Sequence, residues 1–229
     1  MENEIISYIE MCRREASSLQ RGMNFDLSGD YSVILMSVHP HAPYRDRFED
    51  DGSTVIYEGH DAPRSHDLPD PKTIDQPERT PSGMVTENGK FYRSALQFKT
   101  EGAAPRTVRV YEKIRQGIWS YNGVFHLVDA WRERDGRRMV FKFKLIPAEG
   151  TECALPLGAV RKERRRIIPT SVKVQVWKRD GGKCVMCGAT DELHFDHDLP
   201  YSLGGTSVRV ENVQLLCARH NLAKGAKIR

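Results

Sequence analysis

The chain has 229 residues, 39% of them hydrophobic and 29% charged, enough for one large core or two smaller ones, so a disordered chain is not the default expectation. No apolar run approaches the roughly 18 to 20 residues that cross a bilayer, and Met1 leads directly into a charged segment rather than a signal sequence; the expectation is a soluble, cytoplasmic protein with no membrane partner. The formal charge of +4 is uneven, because residues 151–229 carry 14 Lys/Arg against 8 Asp/Glu and the remainder is slightly acidic.

Along the chain, residues 2–20 place Ile5, Ile6, Ile9, Met11 and Cys12 at a spacing that predicts an amphipathic helix. The period then changes. Segments 31–38, 53–59, 107–114, 124–131 and 138–146 are rich in β-branched and aromatic residues, bounded by Gly, Pro and Asp, and predict strands. Between them, residues 60–83 hold five of the twelve prolines and read as a long loop. A β-rich domain is therefore expected over 1–148, followed by a basic linker over 149–170 and a small domain over 171–229, an α+β protein overall. Positive charge gathers at Arg161, Lys162, Arg164, Arg165 and Arg166 and again at Lys173, Lys178, Arg179 and Lys183, a distribution suited to tracking DNA phosphates.

The cysteines are Cys12, Cys153, Cys184, Cys187 and Cys217, an odd number crowded toward the end, which favours a metal site over a disulfide framework. Cys184-Val-Met-Cys187 is followed after 29 residues by Cys217-Ala-Arg-His220. Two such knuckles present four soft ligands, the set tetrahedral Zn2+ requires in a structural site. Gly188 closes the first knuckle, where a tight turn needs glycine.

A four-ligand zinc performs no hydrolysis, so chemistry must come from the residues between the knuckles. These read Leu193-His-Phe-Asp-His-Asp-Leu-Pro-Tyr-Ser-Leu-Gly-Gly205 and Glu211-Asn-Val-Gln-Leu-Leu-Cys-Ala-Arg-His-Asn-Leu-Ala-Lys-Gly225. Over about 172–229 the sequence closely resembles the HNH endonuclease family, whose ββα-metal domains fold around one catalytic divalent ion. The resemblance implies that His197 is the general base, that Asp196 and Asn221 hold Mg2+, Mn2+ or another divalent ion, and that Asn212 fixes the loop and orients His197. His194, sharing a strand face with Asp196, is assigned a structural or phosphate-contact role. Arg164, Arg165, Arg166, Lys178, Arg179 and Lys224 are candidate DNA-backbone contacts.

Further forward, Trp119-Ser-Tyr-Asn-Gly-Val-Phe-His-Leu-Val-Asp-Ala-Trp131 with Met139-Val-Phe-Lys-Phe-Lys-Leu145 resembles the YDG signature of SRA domains, with Asn122 where the motif usually has Asp. Gly52-Ser-Thr-Val-Ile-Tyr-Glu-Gly59 resembles the segment lining their base pocket. The resemblance implies an SRA/PUA-like barrel that flips a modified cytosine out of duplex DNA. Tyr57, Tyr44 and Phe48 are its candidate aromatic walls, and Asp46, chosen over Asp50 and Asp51, the candidate partner of the exocyclic amine. An SRA-like unit followed by an HNH unit resembles bacterial restriction enzymes that cut only modified DNA. The expected function is cleavage of double-stranded DNA at 5-methylcytosine or 5-hydroxymethylcytosine, with a homodimer as one route to double-strand breaks. The competing readings are a non-catalytic modified-DNA reader with a zinc grip and a nicking enzyme indifferent to modification.

Overall fold

A computed structural model describes residues 3–27, 29–50, 54–148, 167–200 and 204–225. Its spine is β7 (Ile118–Asp135), a strand of 18 residues that reaches farther than its apolar run suggests. One edge of β7 pairs antiparallel with β6 (Arg106–Arg115); the other takes β1 (Glu4–Ser7) along its first turn of sequence and β8 (Arg138–Pro147) beyond Phe125. Bulges at Asn122, between Tyr121 and Gly123, and at Val128, between Leu127 and Asp129, bend the strand, as an extra residue in one strand of a pair does. β2 (Met23–Leu27) and β3 (Tyr31–Met36) extend the sheet beyond β6, with β3 parallel to β6. β4 (Arg47–Glu49) and β5 (Thr54–Glu58) extend it beyond β8.

The two ends of this sheet share one core. Met23 and Ile34 from one side and Val55 and Tyr57 from the other pack with Phe125, Phe141 and Phe143 around Phe91 and Ala95 of α2 (Glu87–Glu101). The sheet is thus curled about a helix. α2 is capped by Thr86, whose side chain accepts from the Gly89 N–H, and ends at Gly102 in the left-handed conformation. Gly89 is required because a Cβ there would strike the Glu78 carbonyl and Val85. The loop over 60–83 is tied down at this point: Gln76 is buried, donates to the Gly59 carbonyl and accepts from the Phe141 N–H.

The helix expected over 2–20 is shortened to α1 (Tyr8–Arg14), opened by a capping box between Ser7 and Glu10. Residues 4–7 are a strand instead, because β1 fills the slot between β7 and β9 (Leu193–His197), with Glu4 opposite Tyr121 on one side and His194 on the other. β9 pairs with β10 (Val213–Cys217), and α4 (Ala218–Lys224) follows immediately, giving a ββα unit preceded by α3 (Thr170–Arg179). The α+β class is borne out, and one ten-stranded sheet runs through both regions. Among the described residues no helix is long and apolar enough to cross a membrane. Arg161, Lys162, Arg164, Arg165 and Arg166 and Cys153 lie outside the described residues, as does most of the expected linker.

Candidate metal centre and nucleic-acid interface

The first knuckle turns tightly after α3: the Gly188 N–H donates to the Cys184 carbonyl at 2.8 Å, with Gly188 at φ 73°. The second is the junction of β10 and α4, which puts Cys217 and His220 one helical turn apart. The ligand atoms of Cys184, Cys187, Cys217 and His220 all lie within 4.8 Å of one another. Cys187 and Cys217 sulfurs are 3.8 Å apart, and His220 Nδ1 is 3.4 Å from Cys184 and 3.3 Å from Cys217. A tetrahedron with metal–sulfur bonds of roughly 2.3 Å has sulfur–sulfur edges of about 3.8 Å, so the four residues fit a metal ion. Burial raises the Cys184 thiol, but the backbone N–H groups of Cys217, Met186 and Cys187 outweigh it and bring it down to about 6. That favours the thiolate a metal binds.

Asp196 and His197 end β9, and α4, which carries Asn221, packs against that strand. His197 Nε2 lies 2.9 Å from the hydroxyl of Ser207, a buried residue that sequence reasoning missed. Burial lowers the His197 pKa, with Asp196 opposing and Lys224 assisting. The Asn212 amide is turned to the loop and not to His197, accepting from the Leu199 N–H at 2.8 Å and donating to the Leu199 and Thr206 carbonyls. In that loop Gly205 is obligatory, since a Cβ would overlap the Leu199 carbonyl.

Two cations expected on the DNA surface are buried instead. Lys224 is 2% exposed, donates to the His197 carbonyl at 2.5 Å and sits 2.8 Å from Asp196 Oδ2. Lys173 is wholly buried. Arg179 is exposed together with Lys178 and Lys183, with its guanidinium also engaged by Asp180 and by the Val210 and Val213 carbonyls. His194 is buried opposite Leu216 and belongs to the interior.

In the front region, a cavity of about 440 Å³ opens between the end of β3 and the loop leading to β4, with Leu35, Ser37, Tyr44, Asp46, His60 and Trp119 among its walls. Asp46 accepts from the Ser37 and Glu58 N–H groups at 2.9 and 3.0 Å. Burial pushes its carboxyl up to about 7 against those bonds, and the Glu58 carboxylate adds to the rise. Tyr44 stacks on His60 at 4.6 Å between centroids and 11° between planes. His60 is anchored through its backbone, which accepts from and donates to the Asn88 amide, and burial pushes its pKa down to about 4.

Tyr57 and Phe48 are not walls of this cavity. Tyr57 is 1% exposed in the core and supports the cavity from beneath, its hydroxyl 2.9 Å from His60 Nε2. Phe48, opposite Val55, packs on the same core. Among the cavity residues that sequence reasoning missed are the two ring-bearing side chains His60 and Trp119. The only cue for His60 was its position directly after the Tyr57-Glu58-Gly59 run; Trp119 lay at the head of the YDG-like segment.

Residues 184–227 match the family model described as HNH endonuclease. The C-terminal unit is an HNH domain. No curated protein matches the chain. Among solved structures it is similar to the SUVH5 SRA domain bound to fully hydroxymethylated CG DNA, at 22% identity and TM-score 0.46, covering 66% of this chain and 91% of that one. It is similar also to the SUVH5 SRA domain with hemi-methylated CG DNA, at 21% identity and TM-score 0.43, covering 68% and 90%. The type IV phosphorothioation-dependent restriction endonuclease ScoMcrA matches at 16% identity and TM-score 0.43; the match covers 99% of this chain and 55% of that one, so this chain spans about half its length.

Proposed function

We propose that this chain is a modification-dependent, type IV-like DNA endonuclease in which residues 1–148 read a modified cytosine flipped from the duplex and residues 171–229 hydrolyse a phosphodiester bond. The nuclease reading rests on the pair Asp196-His197, carried at the end of β9 beside α4 within the segment that matches the HNH family. In it, His197 carries its proton on Nε2 and donates it to the Ser207 hydroxyl 2.9 Å away, which leaves Nδ1 to take a proton from the attacking water. Asp196 and Asn221 are the residues to hold Mg2+ or Mn2+, which when bound supplies charge stabilisation at the scissile phosphate and the leaving oxygen. Lys224 keeps Asp196 in place through one carboxylate oxygen and fixes the end of β9 through the His197 carbonyl, and Asn212 holds the loop shape. Zn2+ is the ion for Cys184, Cys187, Cys217 and His220, where three thiolates and an imidazole match its preference.

The base-reading half is supported by the SRA-like segments and by a cavity that joins a stacked aromatic pair to a buried carboxylate. Tyr44 on His60 offers a face to an unstacked base, and Asp46 offers an acceptor to the exocyclic amine. The deciding experiment uses matched duplexes carrying cytosine, 5-methylcytosine or 5-hydroxymethylcytosine, with Mg2+, with Mn2+ and with chelator. Cutting only of modified duplex and only with metal is expected. Equal cutting of all three overturns the reading role, and no cutting with any metal leaves a DNA reader with a zinc grip.

A further inference from the structure

Between the curled sheet and the ββα unit lies a group of polar side chains closed off from solvent. Lys173 of α3 donates to Glu112 of β6 at 2.7 Å and to the side-chain amide oxygen of Asn122 of β7 at 2.6 Å. Asn122 in turn donates to Glu112 at 3.0 Å, and the Thr170 hydroxyl donates to the other Glu112 oxygen. None of the four residues is more than 6% exposed. Two come from the front region and two from the helix that opens the nuclease unit.

A buried ion pair offsets the loss of hydration only in one geometry, so its contribution is to specificity of arrangement more than to stability. Asn122 adapts the site to a single cation: an aspartate in its place would set a second carboxylate beside Glu112 with only Lys173 to balance both. Two further features join the same regions. β1 pairs with β7 on one edge and meets β9 on the other, where the Phe195 N–H donates to the Asn3 carbonyl at 3.0 Å. Ile114 of β6 is buried in the apolar core of the nuclease unit with Val172, Val176, Phe195 and Leu215, and Ile5 and Ile118 pack against it.

We propose that the Glu112–Lys173–Asn122–Thr170 lock and the shared strand β1 hold the nuclease centre at one set distance from the base cavity, so that DNA is cut at one set offset from the modified base. The inference rests on the reading proposed above and adds to it the origin of cut position, which lies in this interface and not in the length of chain joining the units. The test maps cuts on a duplex with one modified cytosine, for wild type, for a variant with six Gly/Ser residues inserted after Leu155, and for that insertion combined with Glu112→Gln and Lys173→Met. The neutral pair of substitutions removes both charges together, so no lone charge is left buried.

A single offset unchanged by the insertion, but scattered over several nucleotides in the combined variant, is the expected result. Scattered cuts in wild type, or an offset that moves with the insertion alone, overturn the inference while leaving modification dependence standing. Small-angle scattering of the same three proteins without DNA tests the lock independently of any cutting. The maximum dimension should be unchanged by the insertion and larger in the combined variant. If modification proves irrelevant to cutting, the reading of the cavity fails, and the scattering comparison alone decides the lock: an expansion on insertion alone overturns it.

Discussion

The two candidate sites differ in how far apart their residues lie along the chain. The nuclease centre draws on a single run from Cys184 to Lys224, and its geometry follows from short-range rules: two-residue knuckle spacings, adjacent residues at a strand end, and a helix starting at a ligand. The base cavity collects Leu35, Tyr44, Asp46, His60 and Trp119 from separate strands and loops. A site of the first kind fails as a unit when one ligand is lost. A site of the second kind fails by degrees, because the surrounding core holds its shape.

The largest expected effect lies in the compact site. His197→Ala should lower cleavage by about 10²- to 10⁴-fold, the range of general-base contributions, while zinc content and DNA affinity stay close to wild type. Near-normal cutting by that variant would remove His197 from the chemistry. Cys184→Ser should come next, abolishing stoichiometric zinc and the cooperative unfolding of the ββα unit, since metal binding and folding of so small a unit are coupled. Zinc content unchanged by metal analysis would show that the four residues do not act together.

For the dispersed site, Tyr44→Ala should remove stacking worth roughly 1–3 kcal/mol and weaken binding to modified duplex by about ten-fold, leaving unmodified duplex little affected. Tyr57→Phe should do less, because it deletes one hydroxyl beneath the cavity and keeps the ring in the core. If Tyr57→Phe matches Tyr44→Ala, the stacking face is misplaced.

The smallest effect is one of pH. Asp46 keeps its proton up to about 7 in the folded chain, against 3.8 for the free side chain. The folded state therefore holds that proton the more tightly, and the resulting stabilisation, complete below the unfolded value, is lost as pH rises through about 7. The same loss of the proton frees an acceptor, so the ratio of modified to unmodified affinity should rise from below pH 7 to above it by a few fold. Asp46→Asn should flatten that profile; a rise that persists in Asp46→Asn assigns the titration to another group.

What the sequence determined by itself was the local arrangement that neighbouring residues enforce: the two Cys/His knuckles of a metal-fitting cluster, Asp196 and His197 side by side at a strand end, the loop amide of Asn212, and the strands carried by runs of β-branched residues. Those depend on contacts a few residues apart or on a helix following directly from a strand. Tertiary structure decided the rest. Residues 4–7 have helical spacing, yet two strands far along the chain claim their backbone hydrogen bonds. Lys173 and Lys224 look like surface cations in a basic stretch, and only the arrival of Glu112 and Asp196 from other elements makes their burial tolerable. Tyr57 sits in a segment that matches a pocket lining, but the curl of the sheet turns its ring into the core and leaves His60, three residues on, to face the cavity. Side-chain direction at such positions is set by pairing and packing across the whole sheet, and no local pattern encodes it.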